Sequence, residues 1–146
     1  MTITSHFQIE PQIIQVINNL ALAGLKTVGD ETLLAGRKSV LDLLPAAILF
    51  TGDGAYSNGT DGKLQTETQY WQLSVMVKHI RGDVNGTTAS QAGEYITPIL
   101  AALVGWVASA DFAPLEIVQR IPGEYREGYA EFPFVLKTSF DVGPNA

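Results

Sequence analysis

The chain has no cysteine among its 146 residues. That absence excludes disulfides, thiolate nucleophiles and Cys-ligated zinc together, and it is consistent with assembly in a reducing cytosol. Histidine is nearly as scarce. His6 and His79 are the only two, neither has a partner at metal-ligand spacing, and no H-E-x-x-H pattern exists. No serine sits in a G-x-S-x-G setting. Gly52, Gly54, Gly59 and Gly62 form neither a P-loop nor a βαβ fingerprint. Long hydrophobic runs are missing too: residues 99–107 are too few to span a bilayer, and the start MTITSHFQIE lacks the basic-then-apolar order of a signal peptide. A soluble protein without membrane contact is expected, with no catalytic group, no cofactor and no metal site.

Charge is thin and of one sign. Charged residues are 16% of the chain, and 9 Lys+Arg against 15 Asp+Glu give a net charge of −6. A clustered basic surface, which affinity for nucleic acid requires, is therefore not expected; an acidic surface that DNA merely slides past is compatible. Hydrophobic residues make up 46%, an apolar balance for a monomer and a hint that partner chains cover some surface.

What is present is strong periodicity. Residues 65–81, QTETQYWQLSVMVKHIR, place Trp71, Leu73, Val75 and Val77 on one face. Gln72, Ser74 and Lys78 lie on the other, with Met76 the one apolar exception. Such alternation predicts a strand half buried against a core, about 30 Å long from Tyr70 to Lys78. Ile9, Ile13, Val16, Ile17 and Leu20 recur at helical spacing, which predicts a helix over residues 10–23 with Pro11 in its first turn. An earlier start at Ser5, with Gln8 as its capping-box partner, would put Pro11 inside the helix. A short strand follows at 25–28. Residues 30–44 read as irregular with helical turns, and Pro45 ends them.

The apolar run AAILF opens a buried strand over 46–56, and a hairpin joins it to the central strand. Residues 52–63, GDGAYSNGTDGK, have the composition of a flexible loop. Asp53, Asn58 and Asp61 there lack EF-hand spacing. Asn58 and Asn85, each in an N-G-T sequence, and the tripeptide Arg81-Gly82-Asp83 read as turn residues. Ser90 can cap a helix to about residue 109, with Ala92, Ile96, Ile99, Leu103 and Val107 on one face and Pro98 disturbing it near Glu94. Residues 115–121 form a strand, PGEYREG a loop and residues 129–142 a long strand. In that last strand Pro133 requires an edge or a non-pairing position.

One domain over 1–146 is expected, with 1–8 an arm. Helices separated by hairpins predict an α+β fold: a mainly antiparallel sheet of four to five strands with two helices on one face. The segment GEYREGYAEFPF alternates Glu124, Arg126, Glu127 and Glu131 with Tyr125, Tyr129 and Phe132. It suits either a solvated hairpin tip, whose charges pair locally, or a contact surface anchored by Tyr and Arg.

The order of elements and the stretches YWQLSVMVKHI, EYITPILAALVGW and PGEYREGYAEFPFVLKTSF resemble the tail terminator proteins of long-tailed bacteriophages and related tail-like particles. The likeness covers roughly residues 10–141. It implies a structural virion protein without chemistry or cofactor, assembled in the bacterial host cytoplasm. That protein would be a homohexameric ring that caps the tail tube, ends its polymerisation and joins the tail to the head or neck, with DNA passing through the bore. Tube and neck or connector proteins would be its partners. Tyr125, Arg126, Tyr129, Glu131, Met76 and Lys78 are the expected interface residues, and strand 129–142 is an edge able to extend a sheet across subunits. The alternatives are another connector or minor tail protein, and a small enzyme or ligand-binding domain with a site among His79, Asp83 and Glu94.

Overall fold

The computed structural model describes residues 5–59, 63–79 and 86–144. Asp61 and the turns expected at Asn85 and Arg81-Gly82-Asp83 lie outside them. Helix α1, Ile9–Asn19, buries Ile9, Ile13 and Ile17, one residue per turn along a single face. A turn precedes it: the Ser5 amide donates to Gln8 Oε1 at 3.3 Å, and the Gln8 amide to the Ser5 carbonyl at 3.2 Å. The capping contact at Ser5 is thus real, yet the helix proper starts at Ile9 and keeps Pro11 in its first turn. It stops short of residue 23, where Ala21 has a φ of +47°, outside helical backbone.

Six strands follow: β1 (Thr27–Asp30), β2 (Ala46–Asn58), β3 (Gln65–Lys78), β4 (Glu116–Arg120), β5 (Glu124–Arg126) and β6 (Tyr129–Val142). They form one sheet in the order β1-β2-β3-β6-β4, with β5 also paired to β6. Only β1–β2 is parallel; the other pairs are antiparallel. The α+β class is as the sequence predicts, with one strand more than the expected four to five. The extra one is β5, three residues of the predicted PGEYREG loop that fold back on Tyr129–Glu131.

Strand β3 is the axis. Trp71, Leu73, Val75 and Val77 are each at most 1% exposed, and burial of such side chains is worth about 1.5–3 kcal/mol apiece. Helix α1 and helix α2 (Thr87–Leu103) cover this face with Ile9, Ile13, Ile17, Ala92, Ile99 and Leu103. The opposite face is closed as well. Residues 31–45, with two 3-10 turns at Glu31–Leu34 and Leu41–Leu43, bring Leu34 and Leu44 onto Ala46, Ile48 and Met76, flanked by Phe50 and Tyr129.

Expectations for the second half of β2, for both ends of α2 and for the place of β6 need correction. Residues 52–58 are not loop but the second half of β2, paired to β3 as far as Asn58 opposite Gln65. A bulge between Thr51 and Gly54 absorbs the irregularity, and Gly52 is required there because a Cβ would meet the Tyr70 carbonyl oxygen at 2.5 Å. Helix α2 ends at Leu103, not near residue 109. Val104 turns extended, Gly105 adopts a φ of +77°, and Val107 is exposed. Its start is also earlier, after Gly86 with a φ of +69°, so Ser90 lies in the first turn and is not the cap.

Strand β6 is interior, between β3 and β4–β5, so it is no edge. Pro133 fits through the other option. Its carbonyl accepts from the Ile121 amide at 3.0 Å, and N and C=O of one strand residue point the same way. Its missing N–H therefore faces the gap between β4 and β5, away from β3.

Candidate assembly surface

The end of the sheet where β3, β6 and β5 finish gathers the expected interface residues, but it sorts them by depth and by face. Register sets Lys78 opposite Tyr129 and Tyr129 opposite Arg126, so three strands lay one row across a single face. The next row on that face is Met76, Glu131 and Glu124. Tyr125 pairs with Ala130, and adjacent strand residues alternate, so Tyr125 belongs to the opposite face. There its ring stands edge-on to His79 at 5.0 Å and to Phe132 at 6.0 Å.

Depth divides the six further. Lys78, Tyr125 and Arg126 are exposed, while Tyr129 and Glu131 are half-buried. Met76 is only 4% exposed. Its sulfur-bearing chain fills the second core with Leu44, Ala46 and Ile48 and is not on the surface of the single chain. The sequence could not show this, because the layer that covers Met76 comes from the irregular stretch 31–45. Glu131 is also engaged: its carboxylate accepts from Ser74 Oγ at 2.7 Å, and Ser74 Oγ accepts from Gln72 Nε2 at 3.1 Å. Glu124 stands opposite Glu131, and Arg126 pairs with Glu124. At this exposure the ion pair contributes about 0–1 kcal/mol and relieves the like-charge pair. Lys78 is left as an accessible cation beside Tyr129.

A second group of polar residues lies under residues 5–7 and was missed. On the helix-packed face, Glu67, Gln69 and Trp71 form one row of β3 and are 3%, 4% and 1% exposed. His6 Nε2 is 2.8 Å from both Glu67 oxygens, and Gln69 Nε2 donates to the His6 carbonyl at 2.7 Å. The Tyr56 hydroxyl is held above its ordinary pKa, first by its hydrogen bond to Glu67, then by burial and by the Glu67 charge. Gly54, opposite Gln69, leaves a groove of about 280 Å³ above this row, walled by Thr51, Tyr56, Phe7 and His6. Gln69 Oε1 and Trp71 Nε1 have no hydrogen-bond partner among the described residues. The signal in the sequence was Glu67 and Gln69, polar residues at odd positions of an otherwise apolar face.

Of the candidate enzyme-site groups, His79 Nδ1 is 3.1 Å from Thr88 Oγ1, Glu94 is exposed on α2, and Asp83 lies outside the described residues. No cluster of metal-ligating side chains occurs among the described residues, and no helix there is long and apolar enough to cross a membrane. The clearest perturbed carboxyl is Glu10, pushed up to about 6 by burial, then by its hydrogen bond to Asp30 and the charges of Asp30 and Glu31. Asp30 is held below its ordinary value by the Thr32 hydroxyl and amide.

A family model described as phage tail terminator protein matches residues 10–146. No curated protein matches the sequence. Among solved structures, a chain of the virion of a native gene transfer agent particle is similar in fold at a TM-score of 0.58 and 14% identity. The similarity covers 89% of this chain and 92% of that one.

Proposed function

Since the chain belongs to the phage tail terminator protein family, a family of structural tail proteins and not of enzymes, we propose that it closes the tail tube as a homohexameric ring. In this reading the ring stops tube polymerisation and presents its other face to a head or neck protein. The observation that carries it is the family match over residues 10–146. Three features support it. The net charge of −6 suits a bore through which DNA passes without sticking. A ring needs two unlike patches on every copy, and this sheet has two unlike edges. The corner formed by Lys78, Tyr125 and Arg126 supplies the exposed Tyr and Arg that anchor contacts between different proteins, here the tube or the neck.

The test joins genetics to mass. Deleting the gene should give overlong tubes, and the purified protein with tube ends should scatter as a closed oligomer and appear as rings in negative stain. Normal-length tails left unjoined to heads would instead assign the chain to the connector. Tyr125→Ala with Arg126→Ala should keep the fold and lose tube or neck binding; unchanged binding would remove this corner from the interface.

A further inference from the structure

We propose that copies of this chain join through their two open sheet edges, the distal half of β2 in one copy adding as an antiparallel strand to β4 of the next. The proposal rests on the ring reading above and gives it a joint.

One edge is the far half of β2. Strand β1 pairs with β2 only along Ala46–Leu49. From Thr51 to Asn58 every residue is exposed, and no described residue pairs with its outer side. The other edge is β4. Gly105 and Trp106 bond to Leu115 and go no further, leaving Glu116–Arg120 paired on the β6 side alone. Uncovered strand edges of this kind are templates for another chain. These two lie on opposite sides of the sheet, β2 where it runs past β1 and β4 as the last strand of the order, and are unlike, which is what a heterologous, rotation-closed contact needs.

Strand polarity agrees. Since β2–β3, β3–β6 and β6–β4 are all antiparallel, β2 and β4 run in opposite directions. Copies standing side by side in one orientation therefore bring β4 antiparallel to β2, a regular ladder.

Face matching then restricts the register, and the central one sets Tyr56 against Ile117. Tyr56, opposite Glu67, lies on the helix-packed face, as does Ile117, opposite Leu136. Ala55, opposite Thr68, lies on the other face, where Val118 borders the concavity with Gln72 and Val135. Setting Tyr56 against Ile117 puts Ala55 against Val118, each pair on one face; the bulge between Thr51 and Gly54 lies beyond this stretch.

The chain has no cysteine, so introduced thiols report without background. Ala55→Cys and Val118→Cys are made separately at exposed positions, assembled with tube ends, and treated with an oxidant or a short bismaleimide. Covalent dimers are expected only when the two variants are mixed, and the double variant should give a ladder ending at the closed ring. A dimer formed by either variant alone would overturn the joint, because it reports a two-fold contact. So would no cross-link in an assembly that light scattering shows to be a ring, which leaves the ring standing. Failure to assemble with tube ends present would sink the ring and the joint together. Ala55→Cys mixed with Glu116→Cys, on the same face one step along β4, should cross-link less than with Val118→Cys; an equal or higher yield refutes the register.

Discussion

Replacing Glu10 with glutamine should stabilise the protein at neutral pH and remove part of its pH dependence. Glu10 sits in the first turn of α1, hydrogen-bonded to Asp30, whose carboxylate already accepts from the Thr32 amide at 2.8 Å and from the Thr32 hydroxyl. The folded-state value of about 6 lies above the ordinary 4.5, so the folded protein holds this proton more tightly than the unfolded chain does. For a carboxyl the sign is then reversed from the usual case: stability is lowered above pH 6 and recovered as pH falls through 6 towards 4.5. The full difference corresponds to about 2 kcal/mol, but Glu10 is only partly buried, and screening reduces this to roughly 0.5–1 kcal/mol. The lost attraction of a first-turn anion for the helix N-terminus, about 0.3–0.5 kcal/mol, opposes the gain. Glu10→Gln should therefore match the parent near pH 4.5 and exceed it by about 0.5 kcal/mol at pH 7.5. In a chain of this length that is a Tm increase of about 1–2 °C. Urea unfolding at several pH values reads it directly. A difference independent of pH, or a loss that grows with pH, refutes the argument.

Met76→Ala should cost about 2–4 kcal/mol in urea unfolding, whereas Lys78→Ala, two residues along the same face, should change stability by less than about 0.5 kcal/mol. Gly52→Ala, with its new Cβ against the Tyr70 carbonyl, should destabilise by about 1–3 kcal/mol. Gly93→Ala in α2, where nothing lies within 4 Å, should stabilise by about 0.5–1 kcal/mol; thermal melts separate the two. Phe140→Ala, which empties a space against Phe112 at a ring separation of 5.2 Å, should cost about 3–4 kcal/mol.

The residues that were legible are those whose neighbours lie close in sequence or whose pattern is long. Strand β6 occupies 129–142 as read, because fourteen residues of alternation outweigh one proline. The second half of β2 was illegible for the converse reason. Gly52, Asp53, Gly54 and Asn58 have loop chemistry, and what keeps them extended is pairing to β3, a tertiary effect that overrides local preference. Residue 107 continued the apolar face of α2 in the pattern, while Gly105 carried the stop signal that ends it. The candidate assembly corner was half legible. Tyr125 and Arg126 stood out by type, but cross-strand register decides that they face opposite ways. Met76 looked like a lone apolar residue on a wet face because nothing in residues 31–45 announces a second layer. Glu67 and Gln69 went unread as a site because their partner His6 is 61 residues from Glu67.

The β3–β6 seam has a consequence for synthesis. Its pairs run unbroken from Gln65 with Val142 to Lys78 with Tyr129, and the His79 amide meets the Gly128 carbonyl at 3.0 Å where the excursion between them closes. Everything from α2 to β5 is made before β3 can receive its second partner. Until β6 has left the ribosome, the strand at the centre of the finished protein is an edge, and an open edge is able to pair with the wrong neighbour.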